Sequence, residues 1–148
     1  SYWTSAFGEG WALYAESLGT DLGMYTDPYQ YMGKLNNEIE RAVRLVVDAG
    51  MHHKGWTREK AIAYVLENQP VSEEQAIQRI ERYMVTPGQA VSYKVGELKI
   101  IALRENAKQQ LGDKFDIREF HDQVLKDGSL PLSILEGKID NWIASKKI

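Results

Sequence analysis

Glu9 and Glu16 are acids set seven residues apart in the segment Glu9-Gly-Trp-Ala-Leu-Tyr-Ala-Glu16, which otherwise reads as a buried helix. Seven residues are close to two helical turns, so both carboxylates share a face about 10 Å apart along the axis, too far to grip one ion together. One could bind a metal or act as a catalytic carboxylate while the other orients it from behind. Equally, Glu9 could serve the dipole of a helix start and Glu16 could face water. His52 and His53 are adjacent, so at most one faces any given site, and which of them does so stays open. A helical metal pair needs histidines one turn apart, and no His-x-x-x-His or His-Glu-x-x-His occurs in the chain. Beside Asp48 and Trp56, His52 could instead donate to a developing oxyanion or carry a proton, the alternative being an exposed polar loop. Further on, Arg82 could clamp a substrate carboxylate, and Gln89 and Tyr93 stand four residues apart after Pro87-Gly88, able to face one cavity. A tyrosine hydroxyl there could stabilise an oxyanion, or the segment could be a helix start with a buried tyrosine.

These side chains would be held on helices. The apolar periodicity is helical almost throughout, with no alternating run long enough for a strand, which predicts an all-α domain of about seven helices. A first helix is expected over Ser5–Leu22, with Phe7, Trp11, Tyr14, Leu18 and Leu22 on its apolar stripe and Gly23 as its stop. Asp27-Pro28 supplies an N-cap and a first-position proline for a second helix, which ends at Gly50 and has pair-forming Glu40, Arg44 and Asp48 on its polar face. Residues 51–56 are then expected to be a loop carrying both histidines. Thr57 caps a third helix to Gln69, and Ser72-Glu-Glu-Gln75 has capping-box spacing for a fourth that reaches Tyr83. After the Pro87-Gly88 break a long helix runs to Leu111-Gly112, with Val91, Val95, Leu98 and Ala102 as its apolar stripe. Asp116 caps a sixth helix ending near Gly128, and Pro131 opens a seventh to about Ser145. His121, between Phe120 and Asp122, is read as structural. No repeat or long linker divides residues 1–148, which are expected to form a single helical domain.

With 148 residues and 43% hydrophobic content the chain can build a core. A net charge of −3 without a basic run gives no footprint for nucleic acid, and no apolar run is long enough to insert in a membrane. With no cysteine, there is neither a disulfide framework nor a thiolate metal site, and the compartment is left unknown.

Several long segments carry a family resemblance that spans nearly the whole chain. They are Phe7-Gly-Glu9-Gly-Trp-Ala-Leu-Tyr-Ala-Glu16, the run from Arg41 through Arg44, Asp48 and His52 to Trp56, Arg82-Tyr83, and Pro87-Gly-Gln-Ala-Val-Ser-Tyr93-Lys-Val-Gly96. Together with Phe115-Asp and Phe120-His121-Asp122, they resemble the bacterial family labelled domain of unknown function 885. That family in turn is similar to zincin-type metallopeptidases, and the first helix to the third-ligand helix of gluzincins. The resemblance implies a zinc-dependent peptidase acting on a peptide substrate, with Glu9 as zinc ligand and Glu16 as a supporting acid. His52 and Tyr93 would then be oxyanion stabilisers, and Arg82 and Gln89 would contact substrate. The family's histidine-glutamate-histidine helix is not in these residues, so the chain is expected to be the C-terminal part of a larger protein. Such a part, alone, is expected to hold no zinc tightly and to be inactive, since catalytic zinc sites use three protein ligands. Exposed apolar surface on the first helix, self-association and a partner in the missing N-terminal part are expected with it. The competing expectation is a non-catalytic helical binding or scaffold domain.

Overall fold

Short polar side chains set most of the helix starts. In the computed structural model, which describes residues 4–147, the elements are α1 (Ser5–Asp21), α2 (Pro28–Lys54), α3 (Arg58–Asn68), α4 (Glu73–Val85), α5 (Gln89–Leu111), α6 (Ile117–Leu125) and α7 (Leu132–Lys147). One 3-10 turn, Gly112–Lys114, follows α5, and there is no strand among the described residues. Asp27 accepts from the Tyr29 amide at 2.8 Å and Gln30 answers in a capping box; Ser72 and Gln75 repeat the device on α4. Thr57 caps α3, and the Asp116 carboxylate accepts from the Arg118 and Glu119 amides at the start of α6. Those two amides hold the Asp116 carboxyl below its ordinary range.

Helix α5 belongs to two cores. Its C-terminal half joins α1, α6 and α7 around Tyr14, Ile100, Leu103, Phe120 and Leu135. Its first residues join α2, α3 and α4, where Val47, Val65, Ile80, Tyr83 and Ala90 are buried. In the first core the Tyr14 hydroxyl meets His121 Nε2 at 2.8 Å, with the imidazole edge-on to Trp11. Burial pushes the His121 pKa down and the nearby Arg104 charge adds to this, which favours the neutral ring. His121 is thus a half-buried histidine packed at the edge of the first core, engaged with Tyr14 and Trp11.

What fixes α1 against α5 is a contact between backbones. An added Cβ on Gly10 would lie 2.4 Å from Gly96 Cα, and one on Gly96 would lie 1.8 Å from the Ala6 carbonyl oxygen. Ordinary helix pairs stand 8–10 Å apart because side chains separate them. Here two facing glycines remove that spacer, and everything that flanks the crossing is positioned by it.

Three elements differ from the sequence-based expectation, each for a local reason. Gly50 does not end α2: its backbone stays helical, and the missing side chain makes room for the Trp56 ring, which an added Cβ would meet at 2.6 Å. Gly55, at φ 66°, ends the helix instead, so His52 and His53 ride on its last turn rather than on a loop. On α5, Val95 and Leu98 are 42% and 49% exposed, while the buried face carries Ser92, Gly96, Ile100, Leu103 and Ala107. The inward stripe is displaced by one position because its contact residues are small. Apolar side chains of α1 are mostly buried, Phe7, Leu13 and Tyr14 fully; exposed apolar surface lies on Leu22, on the first half of α2 at Tyr29, Met32 and Leu35, and on the outer face of α5. No helix among the described residues is long and apolar enough to cross a membrane.

Candidate active site

Glu9 precedes Gly10 at the crossing, and Gln89 and Tyr93 occupy the first turns of α5 on the side that faces it. A four-residue step puts Gln89 and Tyr93 on one helix face, and the Gln89 Nε2 lies 3.4 Å from the Tyr93 hydroxyl and 3.5 Å from Glu9 Oε1. These are long contacts, at the outer limit of hydrogen bonding. Their value is convergence: a carboxylate, a primary amide and a phenol from two helices meet at one place. Ser5 Oγ and Ser92 Oγ, 2.8 Å apart, tie the same helices together beside it. Above the Tyr93 ring lie two guanidinium groups of α2, with Arg41 5.0 Å and Arg44 5.3 Å from its centroid. Arg44 also lies 5.5 Å from the Tyr83 ring; burial raises the Tyr83 pKa and the Arg44 charge partly opposes this.

The start of α5 has no local side-chain cap, and the need is met from across the fold. Asp48, 2% exposed on α2, accepts from the Gly88 amide at 3.3 Å and the Val91 amide at 3.2 Å. This places a full negative charge at the positive end of α5 and satisfies two amides that would otherwise be orphaned. One turn on, His52 Nε2 stands 3.4 Å from Asp48 Oδ1 and 3.1 Å from the Tyr83 carbonyl oxygen. Both neighbours are acceptors, so Nε2 is engaged in joining α2 to the end of α4. Replacing Asp48 by Ala is expected to lower the unfolding free energy by about 2 kcal/mol, the cost of two amides losing a charged acceptor. Urea denaturation measures it, and hydrogen exchange at Gly88 and Val91 locates it. Unchanged stability with unchanged protection would remove this role from Asp48.

The remaining predicted residues lie apart from the cluster. Arg82 is exposed, and its carbonyl accepts from Thr86 Oγ1. Glu16 is exposed as well, with its carbonyl accepting from the Tyr25 hydroxyl. The cluster brings in Arg41, Arg44 and Asp48, which the sequence reading left without a site role. A signal was present, since Arg41, Arg44, Asp48 and His52 recur at three- and four-residue steps along one face of α2. On that face the expected Glu40–Arg44 pair forms, whereas Asp48 serves the α5 amides instead of Arg44.

As a metal centre the site is incomplete on its own. Among the described residues no group of three or more histidine, aspartate or glutamate side chains could hold an ion. The side-chain contact of the Glu9 carboxylate among the described residues is the Gln89 amide, which in turn meets the Tyr93 phenol, so these residues fit a zinc ion only as the donors of a single carboxylate ligand.

Comparison with known proteins finds both a family and solved structures similar to this chain. The profile of the family described as "Bacterial protein of unknown function (DUF885)" matches residues 1–139. The crystal structure titled "The crystal structure of the putative lipoprotein from Colwellia psychrerythraea" superimposes with a TM-score of 0.91 at 52% sequence identity over 96% of this chain. The chain spans 24% of that protein's length. No curated protein matches.

Proposed function

The chain belongs to the bacterial protein family of unknown function DUF885, and from that premise we propose that it is the C-terminal part of a zinc-dependent peptidase. In this reading Glu9 is one zinc ligand and the other ligands come from residues outside this chain. The chemistry zinc supplies when bound is activation of a water for attack on a peptide carbonyl. The residues of this chain then bind and orient. Tyr93 donates its hydroxyl proton to the oxygen that becomes negative as the carbonyl is attacked, and the Gln89 amide holds the phenol in place and offers a second neutral donor. Glu16 is left as a supporting acid at the far end of the same helix.

The observation that carries this reading is the meeting of Glu9, Gln89 and Tyr93 across the glycine contact of α1 and α5. Groups held on two helices in backbone contact keep their geometry, which is what transition-state stabilisation by fixed donors requires. Metal removal tests it in the full-length protein. Treatment with a chelator is expected to abolish hydrolysis of short peptides, and stoichiometric zinc to restore it. Hydrolysis that survives in zinc-free protein would overturn the zinc assignment, and a full-length protein that neither holds zinc nor cleaves peptides favours the helical scaffold reading instead.

A further inference from the structure

Three arginines share one carboxylate beside the tyrosine. Glu40 Oε1 accepts from Arg41 Nη1 at 3.0 Å and from Arg44 Nη2, and Glu40 Oε2 lies 3.4 Å from Arg79 Nη1. Among the described residues no other carboxylate forms an ion pair with any of the three, so three guanidinium groups share one direct carboxylate partner. Lys94, next to Tyr93 on α5, is held by both Glu38 and Glu97, a trio with one more negative than positive charge. Arg41 and Arg44 are only 19% and 16% exposed, and the Nε of each is buried with no acceptor. A largely desolvated guanidinium that shares its one carboxylate partner has capacity for a further anion through the part of it that water still reaches.

The geometry points to Arg41 and Arg44 as the clamp for the C-terminal carboxylate of a peptide substrate, an inference that rests on the peptidase reading of the adjoining cluster. Both guanidinium groups lie over the Tyr93 ring and share Glu40, contacts that restrict them, and a planar guanidinium fork recognises a carboxylate by two parallel hydrogen bonds. Tyr93 is also the proposed donor to the reacting carbonyl. Guanidinium carbons 5.0 and 5.3 Å from that ring put a gripped carboxylate within roughly 9 Å of it, about one to three residues beyond the scissile bond at ~3.5 Å per extended residue. The specificity this gives is removal of a short piece from a free C-terminus. Arg82, exposed on α4, lacks the stacking partner and the buried setting.

The test is binding of N-acetyl-trialanine and of its C-terminal amide to the purified protein, followed by NMR titration. The acid is expected to bind about tenfold more tightly than the amide, the worth of one charge-assisted two-point contact. Arg41→Lys and Arg44→Lys keep the charge but lose the fork, and each is expected to cut that ratio to about threefold or less with the far-ultraviolet circular dichroism unchanged. Arg82→Ala is expected to leave the ratio as it is. Equal binding of acid and amide, binding of neither, or a ratio that survives in the lysine variants would overturn the clamp, as would a ratio abolished by Arg82→Ala. The wild-type ratio alone decides the matter if a lysine variant does not fold. Glu9→Gln in the full-length protein separates this inference from the zinc reading: if it leaves zinc content unchanged, the metal assignment fails while the acid-to-amide ratio still reports on the arginines.

Discussion

Gly96→Ala is expected to lower stability by about 3 kcal/mol or more, enough to leave a protein of ordinary marginal stability largely unfolded in mild denaturant. The added methyl carbon would stand 1.8 Å from the Ala6 carbonyl oxygen, 2.7 Å from Gly10 Cα and 2.9 Å from the Ala6 carbonyl carbon. All three are backbone atoms in the body of a helix, so no side chain can rotate away. Relief requires α1 and α5 to separate by more than an ångström, which opens the packing of Phe7 and Tyr14 against Ile100 and Leu103. Against this stands a gain of about 1 kcal/mol from replacing a helical glycine by alanine, which the overlap outweighs. Two internal controls isolate the gain. Gly33 in α2 and Gly137 in α7 have open space where a Cβ would go, so alanine there is expected to stabilise by about 0.5–1 kcal/mol. Urea titration of the three variants reads the contrast. A Gly96→Ala protein that unfolds at the same urea concentration as the wild type would show that the helices do not touch in solution.

The residues that were legible in the sequence are those whose partners lie within one turn. Asp27-Pro28, Thr57, Ser72 with Gln75, and Asp116 each satisfy amides two or three residues away, and each start was placed to within a residue. The Gln89–Tyr93 juxtaposition follows likewise from a four-residue step. What failed to show was decided between distant segments. Gly50 and Gly55 have equal claim to end a helix until Trp56 is known to need the space over Gly50. Asp48 looks like a surface partner for Arg44 until Gly88, forty residues on, is found to lack a local cap. On α5 a count of large apolar residues selects Val95 and Leu98, because the residues that make the closest contact, Gly96 and Ser92, contribute almost nothing to such a count. The apposition of Glu9 and Gln89, eighty residues apart, has no local signature at all. The motif around Glu9 was visible through a family resemblance, while its geometry needed the fold.

Glu9→Gln in the full-length protein is expected to abolish zinc binding and to reduce peptide hydrolysis by about 10³-fold or more while the fold persists. The substitution exchanges one carboxylate oxygen for an amide nitrogen at constant shape. The remaining amide oxygen can still accept from Gln89 Nε2, whose present contact of 3.5 Å to Glu9 Oε1 is too long to carry much stability. Half-exposed at the helix surface and near no cation that it pairs with among the described residues, the Glu9 carboxylate contributes little to the fold by charge. An unfolding midpoint close to that of the zinc-free wild type is therefore the expected result, within about 0.5 kcal/mol, since bound zinc would itself raise the midpoint of the loaded wild type. For a metal the same change is severe. An amide oxygen is a neutral and weaker donor than a carboxylate, and even the partners behind the ligands cost 10–100-fold in affinity or activity when altered, so loss of a direct ligand exceeds that. Metal analysis, peptide hydrolysis and thermal unfolding of one preparation give the three readings together. Loss of zinc and activity with the midpoint held assigns Glu9 to the metal. Retained zinc with retained activity would return Glu9 to the role of an acid at a helix start, and the Gln89–Tyr93 pair to that of a polar seam between α1 and α5.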